Sequence, residues 1–220
     1  MKLKKNSKFV VAADGAAASG KTTGSRIISR KYGLKFLSSG LLYRYAGQQL
    51  LKYKPKNKIK FLKLKFKKLN YNKINKINLH SPEISEYTSI IAKQKNIRNI
   101  LKKFQQDFAL KHKRVCVEGR DIGTVILPKA DLKFFFICNL KIAAKRRFKE
   151  LKKKNKFLKF ENVKKELQNR NLRDVSRKNS PLLKSPDAVI VDTGKTRNIT
   201  MMINKMSKHM DRKILDKYGN

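Results

Sequence analysis

The stretch Gly15-Ala16-Ala17-Ala18-Ser19-Gly20-Lys21-Thr22 constrains this chain more than any other. It matches G-x-x-x-x-G-K-[ST], a spacing that belongs at a turn between a strand and a helix. The apolar run Phe9-Val10-Val11-Ala12-Ala13 precedes it, as expected for a buried parallel strand. Ile27, Ile28, Lys31 and Tyr32 follow at helical spacing until Gly33, a helix stop. Gly15 and Gly20 let the backbone turn tightly and approach a ligand. Successive N–H groups then point inward and hold phosphate oxygens, aided by the helix N-terminal dipole. Lys21 can reach the β- and γ-phosphates of a nucleoside triphosphate, and the Thr22 hydroxyl can meet Mg²⁺. The motif implies a triphosphate donor and leaves the acceptor open.

At 220 residues the chain suits one domain, residues 1–220, with room for a small insert. It has no run of 18 apolar residues, so no membrane span is expected. Residues 1–8 are basic, but the apolar run after them is too short for a signal peptide. Cys116 and Cys138 are the two cysteines, and both fall in expected buried strands. That pattern fits reduced core residues in a cytoplasmic protein.

The net charge of +41 admits two readings. One is a nucleic-acid binder. The other is a solvated surface filled with lysine. Lys and Asn interleave with Ile, Phe, Leu and Tyr through much of the chain, and no acidic residue lies between Asp14 and Glu83. A bias spread so widely favours the second reading, with weak, salt-sensitive nucleic-acid binding under either. Of the 56 cationic residues, 43 are lysine and 13 arginine. Arginine is therefore the unusual choice here, and only its planar fork matches a phosphate in two places.

Lys35-Phe36-Leu37-Ser38 reads as a second strand, with Ser39 as N-cap of a helix carrying Tyr43 and Arg44. Leu62-Lys63-Leu64-Lys65-Phe66 alternates as a strand would. The Lys/Asn/Ile-rich run at residues 70–78 is close to low complexity. A helix from Pro82 is followed by another, with Ile97, Ile100, Leu101, Phe104 and Phe108 as its apolar stripe and Arg98 on the far side. Arg114-Val115-Cys116-Val117 runs into Glu118-Gly119-Arg120-Asp121. Charged residues at the carboxyl end of a parallel strand face the ligand crevice, so Glu118 or Asp121 is a candidate to hold Mg²⁺. Another apolar strand spans residues 132–138. Arg170, Arg173, Asp174 and Arg177 recur at i, i+3, i+4 and i+7 on one helical face. Three guanidiniums there repel unless an anion lies among them, which suits a lid over phosphates. Residues 187–192 form a last strand, and Ile199, Met202, Ile203 and Met206 mark a terminal amphipathic helix. About five strands alternating with helices give an α/β, doubly wound parallel sheet.

Together these motifs resemble the cytidylate kinase family of nucleoside monophosphate kinases, over about residues 9–210 and most weakly at 52–80. The family's Asp-Gly and phosphate loop resemble Asp14-Gly15 through Thr23. Its Ser/Thr-Gly-x-x-Tyr-Arg resembles Ser39-Gly40-Leu41-Leu42-Tyr43-Arg44, and its Val-Arg helix resembles Ile97-Arg98. Its Asp-Gly-Arg-Asp-x-Gly-Thr resembles Glu118-Gly119-Arg120-Asp121-Ile122-Gly123-Thr124, with Pro128 after it. Its lid resembles Arg170 through Arg177, then Ser180-Pro181-Leu182. The resemblance implies that residues 15–23 bind ATP, through Gly15, Ala16, Ala17, Ala18, Ser19, Gly20, Lys21, Thr22 and Thr23. It implies that Arg44, Arg120 and Arg177 hold phosphates, and that Ser39, Arg170 and Asp174 contact the acceptor's ribose. Ser89, Arg98 and Asp121 would read the cytosine edge. It further implies an acceptor-binding insert at 52–95 and a lid at about 150–182. The sequence departs from the family's pattern at Ala16 and Ala17 (usually Pro-Ser), Thr22 (often Gly), Ser38 and Asn171 (usually Asp), and near Ser85, where Arg is common.

The reaction so implied is transfer of the γ-phosphate of ATP to CMP or dCMP. Lys21, Arg120, Arg173 and Arg177 would carry it with Mg²⁺, in a cytoplasmic monomer without membrane or specific nucleic-acid partners. A kinase for UMP or AMP is the near alternative. A basic P-loop nucleic-acid-binding NTPase is the distant one.

Overall fold

The computed structural model describes residues 7–74, 77–153, 157–196 and 198–219. Parts of the basic leader, of the 70–78 run and of the 150–182 lid expectation lie outside the described residues. The chain forms two compact units, Met1–Leu37 with His112–Asn220, and Ser38–Lys111.

The first unit is built on a five-stranded sheet. Its strands are β1 (Phe9–Gly15), β2 (Lys35–Ser38, whose last residue opens the second unit), β3 (Arg114–Gly119), β4 (Leu132–Ile137) and β5 (Val189–Asp192), in the order β2-β3-β1-β4-β5. β1 runs parallel to β3 and β4, and β4 parallel to β5. Helices cover both faces of such a sheet, so its inner strands read as continuous apolar runs. Helix α1 (Lys21–Lys31) and the C-terminal helix α9 (Ile199–Tyr218) share one core with β1 and β4. That core contains Phe9, Val11, Ile28, Phe134, Phe136, Met202, Met206 and Met210. Met202, Ile203 and Met206 of the expected amphipathic face lie in this core, whereas Ile199 is exposed. Gly24 permits the close packing there, since a Cβ at its position would lie 3.0 Å from the Phe136 ring and 3.2 Å from Met206 Sδ. Helices α7 (Leu140–Lys152) and α8 (Phe160–Ser176) enclose a second apolar cluster. It joins Ala144, Val163 and Leu167 to Ala17 of the glycine turn.

The second unit is helical: α2 (Ser39–Tyr53), α3 (Lys58–Lys67), α4 (Tyr71–Ile74), α5 (Pro82–Ile91) and α6 (Lys95–Lys111). Two expectations change here. Residues 62–66 lie in α3, because Leu62 and Phe66, four apart, are buried while the intervening Leu64 is exposed. Helical period, not alternation, is what Phe66 satisfies by packing edge-on against Tyr45 and Phe104. The cap of α2 is Ser38, whose hydroxyl accepts the Leu41 N–H at 3.4 Å, while Ser39 is the first helical residue. Asn57 and Ser81 cap α3 and α5 in the same way.

Candidate functional site

In the first unit the turn between β1 and α1 has Gly15 at φ +154°, Ala18 at +56° and Gly20 at +81°. Left-handed residues in such a turn aim successive N–H groups to one side, the geometry of an anion-binding nest. Gly15 also has no room for a side chain, since a Cβ would stand 2.4 Å from the Phe136 carbonyl oxygen. Lys21 is buried at the start of α1. Its Nζ lies 3.4 Å from the Ala16 carbonyl and 3.6 Å from Glu118 Oε2 at the end of β3. Burial, then the nearby Arg120 charge, lowers the Lys21 pKa to about 8, with Glu118 opposing. Thr22 and Thr23 stand exposed on the first turn of α1.

Asp14 precedes the turn and is buried. Its carboxylate accepts the N–H groups of Ile122 at 2.8 Å and Gly123 at 2.7 Å. Burial raises its pKa to about 6 against the pull of those two donors. The segment so held, Ile122–Ile126, is a single π-helical turn closed by Leu127 N–H on the Ile122 carbonyl at 2.7 Å. Such turns are rare and tend to mark functional sites. The buried Asp121 stands at its entrance.

Arg120 and Arg177 meet around an anion that belongs to the chain. Arg120 Nε donates to Asp174 Oδ2 at 2.7 Å, and Arg177 Nη1 to Asp174 Oδ1 at 3.5 Å. Burial pushes the Asp174 carboxyl up, but Arg120, Arg170 and Arg177 overcome it and hold it below the ordinary carboxylate range. The anion that the arginine spacing demanded is thus Asp174 itself. Arg177 does not continue the helical face. It is the C-cap of α8, in extended geometry, with Nε donating to the Ser180 carbonyl at 2.6 Å. Arg173 turns along its own helix, giving Nε to the Asn169 carbonyl at 3.3 Å.

Two further contacts touch the glycine turn, and sequence reading missed both. Asn171 Oδ1 accepts the Ala17 N–H at 3.1 Å. Thr193, just beyond β5, donates its hydroxyl to the Ser19 carbonyl at 2.9 Å. Arg146 in turn donates to that hydroxyl at 2.9 Å. The scarcity of arginine was the one signal pointing to Arg146. Cys138, expected in a buried strand, follows β4 and is half-buried, with Arg146 Nη1 3.6 Å from its sulfur, whereas Cys116 is buried in β3.

In the second unit, Ser39 is buried at the first position of α2. Arg44 is buried too, and its Nη1 donates to the Leu79 carbonyl at 3.0 Å and the Ser85 hydroxyl at 2.8 Å. Arg98 is on the buried side of α6 with Ile97, Leu101 and Gln105, not on the far side. Its guanidinium lies over the Tyr43 ring, 5.7 Å from the centroid, and donates to the Ala92 carbonyl at 3.2 Å. Stacking and a carbonyl acceptor supply what lets an arginine be buried. Ser89 is half-buried on α5, with its hydroxyl on the Glu86 carbonyl at 2.7 Å.

Among the described residues no group of three or more His, Cys, Asp or Glu side chains is gathered as a metal site. No helix among them is long and apolar enough to cross a membrane. The cytidylate kinase family profile matches residues 11–212. The cytidylate kinase of Thermosipho melanesiensis is 39% identical over 192 residues, covering 83% of this chain and 88% of that protein. The Clostridium tetani cytidylate kinase is 33% identical over 224 residues, covering 96% and 98%. In fold, the crystal structure of shikimate kinase from Bacteroides thetaiotaomicron superposes with a TM-score of 0.51 at 9% identity, covering 92% of this chain and 98% of that one. The chain belongs to the cytidylate kinase family.

Proposed function

We propose that the protein transfers the γ-phosphate of ATP to CMP or dCMP, giving ADP and CDP or dCDP. The observation that carries this is the buried Lys21 beside the left-handed glycine turn, in the same unit as the Arg120–Asp174–Arg177 cluster. Phosphoryl transfer through a loose transition state needs alignment and charge neutralisation more than a strong base. The turn's N–H groups and Lys21 hold the donor phosphates. Arg120, Arg170, Arg173 and Arg177 neutralise charge as residues at about 150–182 close and exclude water. Arriving phosphate displaces Asp174 from two guanidiniums, and this leaves its oxygens to meet an acceptor hydroxyl. Ser39, Arg44, Ser89 and Arg98 hold the monophosphate, with residues 52–95 as part of its binding region.

The side chains present fit a Mg²⁺ ion carried by the nucleotide. The exposed Thr22 hydroxyl and the carboxylate of Glu118 or Asp121 would meet it, directly or through water. When bound it would neutralise charge on the nucleotide's phosphates.

A coupled assay of ADP formation across CMP, dCMP, UMP and AMP tests the proposal. CMP-dependent turnover is expected, lost in Lys21→Ala and reduced roughly tenfold or more in Arg177→Ala. ATP hydrolysis equal with and without every acceptor would overturn it. Preference for UMP or AMP would move the acceptor, and stimulation by RNA that survives physiological salt would favour a nucleic-acid role.

A further inference from the structure

The contact just beyond β5 reaches the glycine turn at the Ser19 carbonyl. Thr193 is buried, and its N–H is held by the Ile137 carbonyl at 3.0 Å. Its hydroxyl has one proton, given to the Ser19 carbonyl at 2.9 Å. The alternative acceptor, the Ile137 carbonyl, is farther at 3.5 Å. Arg146 fixes that choice from both sides of the residue. Nη1 donates to the Thr193 hydroxyl at 2.9 Å, and Nη2 to the Thr193 carbonyl at 2.8 Å. A rigid fork thus orients a hydroxyl, and the hydroxyl holds one loop carbonyl.

Holding a carbonyl sets the next N–H. The peptide between Ser19 and Gly20 is planar, with C=O and N–H on opposite edges. Anchoring the Ser19 oxygen on Thr193 therefore turns the Gly20 N–H away from Thr193. Gly20 sits at φ +81°, ψ 0°, where glycine has little intrinsic resistance to a peptide flip. Nothing in Gly20 itself chooses the orientation. We infer that Thr193, oriented by Arg146, is a positioning residue that keeps the Gly20 N–H aimed at the donor phosphates. The inference rests on the reading that this loop binds ATP.

The test measures ATP and CMP affinities separately, by calorimetry, for the wild type, Thr193→Val and Thr193→Ser. Valine keeps the shape and removes the hydroxyl. One lost, oriented hydrogen bond and one misdirected donor predict roughly tenfold weaker ATP binding with CMP binding unchanged. Serine, which keeps the hydroxyl, recovers ATP affinity to within about twofold. Valine binding ATP as wild type does, valine weakening both ligands equally, or serine failing to recover ATP affinity would each overturn the inference. Arg146→Met gives a second approach if the valine variant does not fold. It loses both donors to Thr193 and should weaken ATP selectively by roughly threefold, and equal affinity to wild type counts against the inference. A wild type that binds no ATP would instead remove the reading of the loop, and the inference with it. The two failures are therefore distinct.

Discussion

Lys21 Nζ stands 3.6 Å from Glu118 Oε2, both side chains buried, with the lysine pKa brought down to about 8. The lysine is thus charged at neutral pH and loses its proton only slightly above it. In the role proposed for Lys21, ATP favours the protonated form and so raises the pKa in the complex. Binding should be flat with pH below about 7 and weaken above about 8, by up to roughly tenfold per pH unit until the pKa of the complex is reached. Titrating ATP affinity from pH 6.5 to 9.5 checks this. A flat profile throughout would mean that Lys21 does not meet the phosphates.

Asp14 and Asp174 are both partnered carboxylates, yet acid acts on them in opposite directions. Asp14 has a raised pKa, about 6 against 3.8, so the folded chain takes up its proton first. Its contribution to stability grows as pH falls through that window, by up to about 3 kcal/mol from the size of the shift. Asp14→Asn removes the titration. The stability difference between wild type and variant should therefore move in favour of wild type on going from pH 7 to 4.5. Urea unfolding at three pH values measures it, and parallel curves would refute it.

Asp174 has a lowered pKa, so its contribution is present above the ordinary carboxylate range and is lost as pH drops below it. Asp174→Asn removes the charge that Arg120 and Arg177 contact and that Arg170 feels at longer range. A partly buried pair broken on one side should cost roughly 1–3 kcal/mol. Sulfate can take the carboxylate's place among the guanidiniums. Its addition should raise the melting temperature of the variant more than that of the wild type. An equal rise in both would show that the cluster needs no anion.

The legible part of the chain was local. The glycine turn, its flanking strand and helix, and the α9 stripe of Met202, Ile203 and Met206 follow from short spacings. Where two periods competed, local reading failed: Leu62 to Phe66 alternates, yet burial of residues four apart makes it helix. Ser38 and Ser39 differ as caps only by where β2 ends, a tertiary fact. Arg98 is buried because a Tyr43 ring and the Ala92 carbonyl receive it, and nothing in the α6 stripe encodes either. Contacts spanning more than 150 residues, Ala17 to Asn171 and Ser19 to Thr193, have no local signature at all.

Asn171 carries the last prediction. Its side-chain oxygen takes the Ala17 N–H, while the Ala17 methyl is packed with Val163 and Leu167 of the same helix. The base of α8 is therefore fastened to the phosphate loop by one polar and one apolar contact. Asn171→Leu keeps the bulk and removes the acceptor, leaving the Ala17 N–H without it. Loss of one such bond costs about 1 kcal/mol, so exchange of the Ala17 amide and of the α8 backbone should quicken roughly fivefold. Hydrogen exchange resolved to peptides covering residues 15–20 and 160–176 reads it directly. Asn171→Asp retains an acceptor and should keep wild-type protection at the loop. Leucine and wild type exchanging alike would mean that the apolar contact alone holds the helix down.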